Sequence, residues 1–138
     1  MKRTILIVED DSLNAKLFSF TLERRGGYLT EVCEDVRGIL ERVRSGRIDL
    51  VIMDVSLSNS RYRGRSLDGS QICQLLKADP RTRHVPVLLA TAHAMKGDRE
   101  VLLRNSGADE YIAKPITDPS ELLDKVGAML NPVTAPAA

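Results

Sequence analysis

Thr4-Ile5-Leu6-Ile7-Val8-Glu9-Asp10-Asp11 decides the fold class. Its four consecutive aliphatic residues leave no polar face, so a strand built from them is covered on both sides. Asp49-Leu50-Val51-Ile52-Met53-Asp54 has the same character and also ends on an acid. Around these two, apolar and β-branched runs predict strands at Thr4–Val8, Leu29–Cys33, Ile48–Met53, Val85–Thr91 and Glu110–Ala113. Helical spacing fills the gaps. Val36, Ile39, Leu40 and Val43 make one face of a helix that Asp35 can cap. Ile72, Leu75 and Leu76 form a stripe closed by Asp79-Pro80. Leu122, Val126, Met129 and Leu130 follow Asp118-Pro119, a cap with proline at the first helical position. Leu13, Leu17, Phe18, Phe20 and Leu22 are crowded, and Gly26-Gly27 stops that segment. Val101, Leu102 and Leu103 lie in a weaker segment closed by Ser106-Gly107. The order βαβαβαβαβα predicts an α/β fold, a parallel sheet with helices on both faces.

The chain has 138 residues, which suits one domain. Its formal charge of +1 excludes a global electrostatic grip on nucleic acid or anionic lipid, though not a local basic patch. No apolar run approaches the roughly 20 residues that span a bilayer, so no membrane insertion is expected. The apolar start is too short for a secretory signal, and a cytoplasmic location is expected. Cys33 and Cys73 form no CxxC pair and read as small hydrophobes in a reducing compartment. Residues 1–131 form the expected domain, and 132–138 a short flexible tail without periodicity.

Ligands of open α/β sheets collect beyond the carboxyl ends of the strands. Glu9, Asp10 and Asp11 follow the first strand here, Asp54 ends the third, Thr91 the fourth, and Lys114-Pro115 follows the fifth. Crowded carboxylates repel one another unless they protonate or share a cation. A hard divalent cation with oxygen ligands answers that need; Mg²⁺ takes one or two carboxylates, waters and a phosphate oxygen. A carboxylate can also act as a nucleophile and form an acyl phosphate, with Lys114 offsetting charge on the phosphoryl group.

These residues resemble the bacterial two-component response-regulator receiver domain. The likeness runs from about Lys2 to Leu130. It rests on Ile5–Asp11, on Asp49–Asp54, on Val85-Pro86-Val87-Leu88-Leu89-Ala90-Thr91-Ala92, and on Gly107-Ala108-Asp109-Glu110-Tyr111-Ile112-Ala113-Lys114-Pro115. The stretches Glu9–Phe18 and Ala92–Asp98 are similar to DivK-type single-domain regulators. The resemblance implies a flavodoxin-like, doubly wound (βα)5 domain with sheet order 2-1-3-4-5. It implies a stand-alone regulator in a phosphorelay, or an intermediate that relays phosphate onward, and not an enzyme acting on other substrates.

Residue by residue, the resemblance makes Asp54 the phospho-acceptor. Glu9, Asp10, Asp54 and the backbone carbonyl of Ser56 would bind Mg²⁺, with Mn²⁺ as a substitute. Thr91 matches the hydroxyl that follows the phosphoryl group, Lys114 the lysine that pairs with it, and Tyr111 the aromatic that turns inward. A static edge-of-core role fits Tyr111 equally. Ser56 and His93 stand where the family tunes dephosphorylation, and Lys114-Pro115 resembles its cis-proline bond. Asp11 reads as a helix cap. The implied partners are a sensor histidine kinase or histidine phosphotransfer protein, and a downstream protein on the face of the fourth helix, fifth strand and fifth helix. A monomer or weak homodimer is expected.

One departure stands beside the site. Ser58 occupies the place where the family normally has proline. The stretch Ser58–Ser66 looks like an insertion, with Arg61, Arg63 and Arg65 around Tyr62. It could modulate phosphate access or dock an acidic partner surface; the sequence favours a solvated, mobile loop with incidental charge. His84 and His93 read as surface residues, not metal ligands. Two rival functions share this architecture. A phosphohydrolase with an aspartyl nucleophile usually has a second acid where Ser56 stands. A flavodoxin cradles phosphate where Glu9-Asp10-Asp11 would repel it.

Overall fold

The computed structural model of the chain describes residues 2–57, 61–92 and 98–131. Ser58, His93, Met95 and the 132–138 tail lie outside the described residues. Five strands, β1 (Thr4–Val8), β2 (Leu29–Val32), β3 (Leu50–Asp54), β4 (Val87–Thr91) and β5 (Glu110–Ala113), form one parallel sheet. Their order is β2-β1-β3-β4-β5, the doubly wound, flavodoxin-like arrangement expected from the sequence. The third and fourth strands begin two residues later than their apolar runs suggest. Ile48 and Val85 are buried ahead of the pairing, so hydrophobicity alone overran the ladder.

The alternation of strand side chains divides the core in two. Ile5, Ile7, Leu50, Ile52, Leu88 and Ala90 face α1 (Ser12–Phe20) and α5 (Pro119–Leu130), meeting Phe18, Leu122 and Val126. Leu6, Val8, Val51, Met53, Val87 and Leu89 face α2 (Val36–Arg44) and α3 (Gly69–Ala78), meeting Ile39, Leu40, Ile72 and Leu76. The three central strands are therefore buried on both sides, as their continuous apolar runs require. α4 (Asp98–Ser106) packs beside α3, and among its described side chains only Ser106 is buried.

Side chains close the helix starts. Asp11 accepts from the Leu13 and Asn14 amides at 2.9 and 3.1 Å, Asp35 from Gly38 at 3.0 Å, and Asp118 from Ser120 at 2.9 Å. Asp68 and Gln71 form a reciprocal capping box at the start of α3. Each such cap contributes about 1 kcal/mol. The first helix departs from a simple reading. It is α-helical only to Phe20 and continues as a wider π-type turn through Arg25 before Gly26-Gly27. Ala15, Phe18 and Leu22 face inward, which leaves Leu13, Leu17 and Phe20 exposed.

The Ser58–Ser66 stretch also differs from a bare loop. Arg61–Tyr62 pairs antiparallel with Arg65–Ser66. Arg63 (φ 53°) and Gly64 (φ 78°) make the two-residue turn. A side chain in that left-handed region costs roughly 1 kcal/mol. Tyr62 offsets it by packing on the α2–α3 side of the core. Among the described residues no helix is long and apolar enough to cross a membrane.

Candidate phosphoryl-acceptor and metal site

Parallel strands bring their carboxyl ends to one edge of the sheet. Val8 pairs with Met53, Asp54 with Ala90, and Thr91 with Ala113. Glu9 and Asp10 thus come beside Asp54, while Thr91 and Lys114 close the opposite flank. Carboxylate oxygens of Glu9, Asp10 and Asp54 all lie within 4.8 Å of one another. Glu9 and Asp54 are buried, at 4% and 3% exposure, and Asp10 is half-buried.

Lys114 spans the cluster. Its Nζ lies 3.3 Å from Glu9 Oε2 and 3.2 Å from Asp54 Oδ1. The Ser56 backbone N–H donates to Asp54 Oδ1 at 3.1 Å, and Asn14 Nδ2 donates to Glu9 Oε1 at 3.3 Å. Burial pushes the Glu9 pKa up and the Asp54 charge pushes the same way, against Lys114 and Asn14. Burial works against the Lys114 charge too, but Asp54 and Glu9 outweigh it and raise that pKa. A single ammonium is shared between two buried carboxylates, and the Asp10 carboxylate lies close beside them. Three hard oxygen donors in that state suit a divalent cation such as Mg²⁺.

The floor of the site is backbone. Gly69 lies so close beneath β3 that a Cβ there would stand 1.9 Å from the Asp54 carbonyl oxygen. Its N–H donates to Val55 O at 3.1 Å. Only glycine lets α3 begin this near the end of β3. Lys114-Pro115 is a cis peptide bond, and the Lys114 N–H donates to Thr91 O at 2.8 Å.

Tyr111 stands apart from the carboxylates, half-buried on β5. Arg99 of α4 and Lys125 of α5 lie over its ring, 5.2 and 5.8 Å from the centroid. Both cations also reach Glu110 Oε1, at 3.1 and 3.8 Å. His93 lies outside the described residues.

Sequence reasoning overlooked Asn14 on Glu9, the cations on Tyr111 and an apolar surface beside the mouth. Leu17, Phe18, Ile116, Pro119 and Leu122 line a groove of about 380 Å³ that ends at Lys114. Its signal was present: the first helix carries more apolar residues than one face can bury.

Residues 5–127 match the response regulator receiver domain family. The polar-differentiation response regulator DivK of Brucella anthropi is 39% identical over 119 residues, covering 86% of this chain and 89% of its own. The DivK of Brucella ovis is 38% identical over the same shares. Among solved structures, the receiver domain of a sensor histidine kinase from Pseudomonas aeruginosa holds a magnesium ion in its active-site cleft. It is 29% identical, with a TM-score of 0.77, covering 94% of this chain and 98% of its own. The signal receiver domain of a histidine kinase from Syntrophus aciditrophicus is 32% identical, with a TM-score of 0.78, covering 96% and 93%.

Proposed function

The chain belongs to the response regulator receiver domain family, and from that premise we propose that Asp54 accepts a phosphoryl group from a phosphohistidine of a sensor kinase or phosphotransfer protein. The observation that carries this reading is the Lys114 ammonium, held at 3.2 and 3.3 Å from Asp54 and Glu9 within the carboxylate cluster. A carboxylate oxygen of Asp54 attacks phosphorus and forms an acyl-phosphate P–O bond. The P–N bond to imidazole breaks, its electron pair stays with the ring, and the ring takes a proton from solvent.

Glu9, Asp10, Asp54 and the Ser56 carbonyl would hold Mg²⁺, or Mn²⁺ in its place. When bound, the cation supplies positive charge to the phosphoryl oxygens. Lys114 supplies a second positive charge from the opposite side. Thr91 brings its hydroxyl to the phosphoryl group, and Ser56 and, by its place in the sequence, His93 tune how long it persists. The product is a signalling state of this chain in the cytoplasm, not a released compound.

A protein that delivers phosphate to Asp54 must sit over the mouth. The apolar groove ending at Lys114, with Leu13, Leu17 and Phe20 exposed beside it, supports a donor docked on α1. Output uses the opposite side. Tyr111 leaves Arg99 and Lys125 and turns inward, and the α4–β5–α5 face shifts toward the state a downstream protein binds.

Acetyl phosphate with and without Mg²⁺ tests the acceptor. The wild-type chain labels only with the metal, and Asp54→Asn does not label. Normal labelling of that variant would refute the assignment. Partner affinity unchanged by labelling would refute the switch alone.

A further inference from the structure

The phosphoryl chemistry above makes no use of the Arg61–Ser66 hairpin. The segment that carries it nevertheless leaves from the end of β3 and returns to Gly69, whose N–H closes on Val55 O at 3.1 Å. Both of its roots therefore stand at the carboxylate mouth. Tyr62 fixes the hairpin to the α2–α3 side of the core. The Arg63 guanidinium lies over the Tyr62 ring, 5.1 Å from its centroid. Arg61, Arg63 and Arg65 are all exposed on this platform. None of them belongs to an ion pair among the described residues. Other surface arginines do meet acids, as Arg44 and Arg81 meet Asp79 and Arg47 meets Glu31.

We propose that this hairpin docks an acidic surface of the protein that delivers the phosphoryl group. The proposal rests on Asp54 being the acceptor. Guanidinium forks pair with carboxylates two bonds at a time, and three of them on one short hairpin concentrate positive charge where the mouth is otherwise acidic. A donor seated on α1 crosses the mouth to reach the hairpin, so it is gripped by apolar contact on one side and ion pairs on the other. A nucleic-acid backbone fits less well. The formal charge of the chain is only +1, and Glu9, Asp10 and Asp54 would face the neighbouring phosphates.

The histidine kinases and phosphotransfer proteins of the source genome are phosphorylated and profiled against the wild-type chain, and the fastest donor is then used. The expected result for Arg61→Ser/Arg63→Ser/Arg65→Ser is an about tenfold lower second-order transfer rate at low salt. The gap closes near 0.5 M salt, where charges are screened beyond a few ångströms. Labelling by acetyl phosphate with Mg²⁺ stays within about twofold, and the melting temperature is unchanged, as for exposed substitutions. Equal transfer by both proteins at low salt overturns the proposal. So does a parallel fall with acetyl phosphate, which would place the arginines at the phosphoryl group itself. Loss of binding to a short DNA duplex with transfer intact also overturns it and gives the hairpin to nucleic acid. If acetyl phosphate labels Asp54 but no donor labels the wild-type chain, the docking claim falls and the acceptor stands. If neither labels it, the acceptor reading falls as well.

Discussion

Helices α1 and α2 have nine residues each and use their apolar side chains in opposite ways. Every aliphatic residue of α2 is buried: Val36, Ile39, Leu40 and Val43 are at most 4% exposed. On α1, Phe18 and Ala15 are buried, while Leu13, Leu17 and Phe20 are 66%, 57% and 62% exposed. Both helices pack on the same sheet, so the core does not demand the surplus. One helix holds the fold; the other presents apolar surface next to the carboxylate mouth. An apolar residue in a helix is thus evidence for packing only after its face is known.

The contrast is broken most directly at Ile39. Ile39→Ala removes a fully buried side chain and is expected to cost about 3 kcal/mol of unfolding free energy in urea titration. A loss below about 1 kcal/mol would mean that α2 is no more structural than α1. A middle-sized effect belongs to α1. Leu17→Ser with Phe20→Ser should leave the unfolding free energy within about 0.5 kcal/mol of wild type. Transfer from a phosphorylated donor protein should slow about tenfold, and labelling by acetyl phosphate should not change. That loss should persist at high salt, which separates an apolar contact from the ionic one proposed for the hairpin. Unaltered transfer would remove α1 from the docking surface.

The smallest effect lies where α2 ends. Arg81 and, more weakly, Arg44, the last residue of α2, hold the Asp79 pKa down at about 2, against an ordinary 3.8. A depressed carboxylate stabilises the fold above its unfolded pKa and loses that contribution as pH falls through the folded value. Thermal melts of Asp79→Asn should therefore run slightly below wild type at neutral pH and converge with it between pH 3.8 and about 2. A constant gap across that window would show that Asp79 acts through the hydrogen bond it accepts from the Arg81 backbone N–H at 2.9 Å and not through its charge.

Much of this architecture was legible because its signals are local. Ile5–Val8 and Val51–Met53 announce buried strands by their continuity, and Asp11, Asp35 and Asp118 announce helix starts by their position. The site was legible for a different reason: parallel strands bring their carboxyl ends together, so acids at Glu9, Asp10 and Asp54 needed only the order of elements to converge. What escaped depends on orientation in three dimensions. Leu13, Leu17 and Phe20 look like core until Phe18 and Leu22 take the inward face. Tyr111 reads as a lone aromatic until two other helices supply Arg99 and Lys125. Arg63-Gly64 does not look like a turn pair, because the first position usually belongs to asparagine or glycine.

Gly69 makes the two flanks of Asp54 structurally unequal. On its side, main chain rests against main chain with no side chain between to yield, so displacement of the Asp54 backbone is passed to α3 undamped. The other flank is built differently, from the strand ends that carry Thr91 and the long stem of Lys114. Asp54 is thus braced by main chain on one side and by side chains on the other, an asymmetry that follows from the one position that has no Cβ.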